Sequence, residues 1–122
     1  MNKNYTSIEQ SKRLLELGLD PKSADMNWHD MPGIGKFVRA FPYVHENGAT
    51  EGFLPCWSVG ALLELMPICN LYDERTKKYP SRWSFNYNGD TMIDYHETSA
   101  DNIIDAAYDM MVWLLENNYI NK

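Results

Sequence analysis

Pro55-Cys56-Trp57-Ser58-Val59-Gly60-Ala61-Leu62-Leu63-Glu64-Leu65-Met66-Pro67 is the stretch on which the fold turns. Ser58 is a good N-cap, because its hydroxyl can accept from a backbone N–H of the first turn. Pro67 stops the helix by removing a donor and crowding the turn before it. Between them Val59, Leu62, Leu63 and Met66 follow the i, i+3, i+4, i+7 spacing of a helix face. Ala61 and Leu65 extend the apolar surface nearly all round and leave Gly60 and Glu64 as a narrow open stripe. A helix this apolar must be covered on several sides. The pattern predicts a buried central helix at about 58–66, with the other elements packed round it.

Toward the N-terminus, Thr6 and Glu9 have the spacing of a capping box. Ile8, Ser11, Leu14 and Leu15 line one side of the helix it opens, with Leu17 at the margin and Glu9, Arg13 and Glu16 opposite. Gly18 can take the left-handed conformation that ends a helix, with Leu19 folding back on Leu14. Asp20-Pro21 predicts a short second helix over about 21–25. An irregular stretch follows, and Met31-Pro32-Gly33-Ile34-Gly35 is a loop by composition. Lys36 to Val44 is aromatic and β-branched, a strand that Pro42 confines to an edge. Asn47-Gly48 marks a turn, after which Gly52-Phe53-Leu54 returns alongside.

Toward the C-terminus, Asp73 to Tyr79 is a mixed-charge connector, and about 82–97 predicts a hairpin around Asn88-Gly89. A loop from Asn88 to Asp90 sets Trp83, Phe85 and Tyr87 beside Thr91, Ile93 and Tyr95. That register keeps the aromatics apart from Arg82, Ser84, Asn86, Asp94 and His96, whereas a shorter loop mixes them. Asn102 and Asp105 resemble a capping box for the last helix. Its core face is Ile104, Ala107, Tyr108, Met111, Leu114 and Leu115, and it ends near Asn117-Asn118. The expectation is one α+β domain over 1–122: three main helices, one short helix and a small antiparallel sheet.

The chain has 122 residues, 44% of them hydrophobic and 23% charged, the composition of an ordinary globular domain. Its N-terminus lacks the apolar run of a signal peptide, and Met110 to Leu115 is far too short to span a bilayer. A cytoplasmic location is expected, where Cys56 and Cys69 stay reduced. Charge is unevenly spread. Residues 1–82 carry ten Lys/Arg and ten Asp/Glu, whereas 83–122 carry seven acids against Lys122 alone, which accounts for the formal net charge of -6. An acidic balance argues against phosphate contact, hence against nucleic acid, and allows a basic protein partner or self-association, a cation, or simply better solubility.

Three segments carry a resemblance: TSIEQSKRLLELGLDPKSADM near the start, PCWSVGALLELMP in the middle and IDAAYDMMVWLLENNYI at the end. Together they resemble a group of small proteins from gut Bacteroidetes and their phages and mobile elements. The similarity covers about half the chain and lies in core and capping motifs. That group has no established activity, so the resemblance implies a phage or mobile-element accessory protein and transfers no catalytic residue. Relatives in it carry Pro where this chain has Ile103, so the last helix leans here on Asn102 and Asp105.

Four constellations could carry chemistry. Cys56 stands at a helix start, where the dipole would favour a thiolate, with His29, His45 or His96 as candidate bases. Free cysteines are more often small core residues. Asp25, His29 and Asp30 lie close together, as do Asp94, His96 and Glu97, but neither set has the spacing of a known metal motif. No metal and no cofactor is therefore expected. Ile8 to Met26 has the outline of a helix-turn-helix, yet its second segment offers Lys22 against Asp25 and no arginine. Last, Asp105, Asp109 and Glu116 share the outward face of the final helix, with Trp113 among them. An outward Trp ringed by carboxylates suits an anchor for a partner. A Trp lying under the hairpin is the plainer alternative. The leading expectation is a non-enzymatic interaction protein using Trp113, Asp109 and Glu116. The alternatives are a small enzyme at Cys56 or a His/carboxylate site, and a helix-turn-helix-like binder that the charge disfavours.

Overall fold

A computed structural model describes residues 4–31, 33, 35–39, 53–67, 69–73, 82–87 and 96–120. It is α+β, with helices α1 (Ile8–Glu16), α2 (Val59–Leu65) and α3 (Ile103–Glu116). Strand β1 (Met26–Met31) pairs antiparallel on either side with β2 (Gly35–Arg39) and β3 (Phe53–Cys56). In a second sheet, β5 (Trp83–Tyr87) pairs antiparallel with β4 (Cys69–Asp73) and β6 (His96–Ala100). Helix α3 packs across β5 and β6 and against α2, while α1 packs on β3.

The cap of α2 is as expected: the Ser58 hydroxyl accepts from the Ala61 N–H at 3.1 Å. Its burial is not. Ala61 and Leu62 are buried, but Gly60 and Glu64 are exposed and Leu63 is 38% exposed. The enclosed helix is α3, with Ile104, Ala106, Ala107, Met110, Met111, Leu114 and Leu115 all buried. The reason is geometric: α3 lies on a sheet and also meets α2, while α2 is a short element that buries one side.

Both long helices end as their sequences require. Leu19 N–H reaches Leu14 C=O and Gly18 N–H reaches Leu15 C=O, both at 3.0 Å, with Gly18 at φ 96°. The same pair of bonds closes α3, from Tyr119 to Leu114 and from Asn118 to Leu115, with Asn118 at φ 61°. Tyr119 and Ile120 then tuck back against the core. Asn102 caps α3, its side-chain oxygen accepting from Asp105 N–H at 2.9 Å.

The start of α1 is displaced by one residue from the expected Thr6–Glu9 box. Ser7 is the N-cap and Gln10 completes the box, each side chain bonding the other's backbone N–H. Thr6 is wholly buried instead. The short second helix expected over about 21–25 is present in a tighter and shorter form. Asp20 caps a single 3-10 turn, Pro21–Ser23, and the chain then enters β1.

The sheets depart most from expectation. β1 occupies what composition marks as irregular: Met26 to His29 does alternate, but the polar Asn27 and His29 are the buried members, while Met26 and Trp28 are only partly covered. β2 lies at an edge, as expected, but the return strand β3 pairs with β1 and not with β2. β5 pairs with His96–Ala100 in place of Thr91–Tyr95, setting Tyr87 opposite His96, Phe85 opposite Thr98 and Trp83 opposite Ala100. In β6 the inner positions are His96, Thr98 and Ala100, and Glu97 and Ser99 are exposed, so the period is real but polar residues carry it. The Thr98 hydroxyl is satisfied by donating to Ala106 C=O at 2.9 Å. Pro42, the Asn47-Gly48 and Asn88-Gly89 turns, Thr91 to Tyr95 and the connector to Tyr79 lie outside the described residues.

The first sheet, α1 and α2 are joined by a strap, Asn4 to Thr6. Thr6 N–H donates to Trp57 C=O at 2.9 Å and Val59 N–H to Asn4 C=O at 3.0 Å. The Thr6 hydroxyl accepts from Trp57 N–H at 3.1 Å and shares a hydrogen bond with Ser11. The Thr6 carbonyl accepts the Trp28 indole N–H at 3.0 Å and the Cys56 thiol at 3.3 Å. Thr6→Val keeps the volume and strands a buried N–H, so a loss of about 2 kcal/mol is expected. Ser7→Ala removes an ordinary cap and should cost about 1 kcal/mol. Urea unfolding of the two variants compares them directly. A larger loss for Ser7→Ala would mean that the strap is not the principal fastening.

Candidate functional site

The acidic face of α3 is built by its own spacing and answered by α1. Gln10 Nε2 donates to Asp105 Oδ1 at 2.8 Å, and Asn102 Nδ2 donates to Asp105 Oδ2 at 2.9 Å. The Arg13 guanidinium lies 3.4 Å from Glu16 and 3.9 Å from Glu116. All three of those side chains are about half exposed or more, so solvent screens the pairs and each contributes little. Asp105 is thus occupied and Glu116 is loosely paired. Asp109 is exposed and has no ion pair among the described residues. Partial burial of its carboxyl, and then the Asp105 charge one turn back, push its pKa up.

Trp113 does not stand clear of the surface. Its ring stacks on His96, with centroids 4.2 Å apart and planes within 2°, and on Tyr119 at 5.2 Å. Tyr87 meets both Trp113 and Tyr119. The outward placement fails because α3 has two buried stripes. Ala106, Met110 and Trp113 form the second, beside the expected Ile104, Ala107 and Met111. Trp113 is half-buried at the edge of this second stripe, and the carboxylates lie beyond it. Burial pushes the His96 imidazole below its usual pKa.

Spacing on α1 could have revealed part of this arrangement. Gln10 and Arg13 lie three apart on one helix face, a polar pair able to meet an acidic helix. The partners of Trp113 left no comparable signal, since Tyr87, His96 and Tyr119 come together only through strand register and the helix ending.

The other constellations are placed differently from what a site would need. Cys56 is fully buried, and burial pushes its thiol to about 11, so it is a hydrogen-bond donor to Thr6 and not a thiolate at neutral pH. Burial also raises Cys69, which is half-buried on β4. Both cysteines are free. His29 is buried and stacks on Phe37 at 5.3 Å, and Asp25 binds both the N–H and the hydroxyl of Ser58. Among the described residues no group of three His, Cys, Asp or Glu side chains could hold a metal ion. His45 and Asp94 lie outside the described residues, and so does the side chain of Asp30. Lys22 belongs to the 3-10 turn, so Ile8–Met26 presents no recognition helix. No described helix is long and apolar enough to cross a membrane.

Compared with protein families, curated proteins and solved structures, the chain matches none of them.

Two measurements follow from these positions. A carboxyl whose folded pKa is raised destabilises the native state while ionised, and the penalty fades as pH falls through that raised value. Asp109→Asn should therefore stabilise the protein at pH 7 by about 0.3 kcal/mol, the scale of a like-charge pair one helical turn apart. The gain should vanish below about pH 3, where both states are protonated; a gain that persists there would contradict the assignment. Thiol labelling of the native protein should modify Cys69 well before Cys56. Labelling of Cys56 at the rate seen in denaturant would show that it is accessible and reactive.

Proposed function

We propose that the chain is a non-enzymatic interaction protein that engages a basic protein segment through the exposed carboxylates of α3. Asp109 is the observation that carries this reading. It is a surface acid whose pKa is raised by partial burial of its carboxyl and then by the Asp105 charge, and it has no ion pair among the described residues. A lysine or arginine from a partner would offset that charge and draw the Asp109 pKa back down. Glu116 lies two turns further along the same face, and Trp113 with its stacked rings forms the firm floor beside them. Such rim charges act mainly on association rate and on salt dependence.

The rival enzyme reading is weakened by the buried, protonated Cys56. Nucleic-acid binding is weakened by the negative charge of this end of the chain. The resemblance of three segments to small Bacteroidetes, phage and mobile-element proteins supports an accessory role there, and two free cysteines suit a cytoplasmic setting.

Affinity capture from a host lysate with the wild-type chain, Asp109→Lys and Asp109→Lys/Glu116→Lys tests the proposal. The lysine introduced at 109 would sit one turn from Asp105 as an opposite charge, while Glu116→Lys gives up only the solvent-screened pair with Arg13, so urea unfolding of each variant should show the fold retained. Retention of a basic partner should fall at least ten-fold, about 1.4 kcal/mol, in the double variant. Raising salt should release the same partner from the wild type. If every captured protein survives both reversals, the acidic face is only a solvated surface. A second copy of this chain as the captured species would point to self-association instead.

A further inference from the structure

We draw no further inference here: the strongest candidate, the uncovered apolar surface of Leu71 on the edge strand β4 together with Leu63 on α2, carries nothing, because nothing in the structure shows what covers it.

Discussion

Burial of the Thr6 peptide unit is the constraint on which the other contacts depend. A buried backbone group without a partner costs on the order of 1–3 kcal/mol, so an enclosed N–H or carbonyl must be answered. At Thr6 the answers come from three elements. Trp57 supplies both a carbonyl and an N–H at the entry to α2, Trp28 reaches in from β1, and Cys56 from β3. The same few atoms therefore set where α1 begins, how the first sheet meets it and where α2 departs. Asp25 adds a second tie by taking the Ser58 N–H and hydroxyl, while Trp57 places its indole N–H on Ser23. Polar groups, not apolar area alone, give this corner one geometry.

How much of this is legible in the sequence follows from where the information is local. Helix ends are legible, because a cap needs only a side chain and a backbone group a few residues away. Asn102, Ser58, Asp20 and Gly18 all behave as their types require. Thr6 misleads for the same reason. A threonine three residues before a Glu resembles a cap, and nothing nearby says that Trp57, fifty-one residues on, claims its hydroxyl. The strands are harder. Alternation fails as a signal when buried positions are polar, as at Asn27, His29 and Ser84, or when a face is lined by His96, Thr98 and Ala100. Register, too, is not local: β5 and β6 both lie under α3, and the inner residues His96, Thr98 and Ala100 carry no apolar run that would announce the pairing.

The candidate surface is partly legible. Asp105, Asp109 and Glu116 share a face because helical spacing is rigid, and that reading needs no tertiary information. What the spacing of α3 alone does not supply is the neighbour that faces it. Gln10 and Arg13 of α1 engage the two ends of the acidic row, and so reduce it to the carboxylate between them. The helical angle of Trp113, far from Met111 and Leu114, assigns it to the outside of a one-sided wheel. The helix buries a second stripe, and a two-sided helix leaves less outward surface than such a wheel suggests.

The adjacent pair Met110 and Met111 belongs to both stripes at once, and neither residue has measurable solvent exposure. A thioether so placed meets an oxidant only when α3 has left its sheet. Sulfoxide formation would put a polar, chiral group in each of the two buried stripes. The chain could then not repack as before. For this protein, oxidative damage would act less as a wound to the folded molecule than as a record of having opened, made irreversible unless a reductase intervenes.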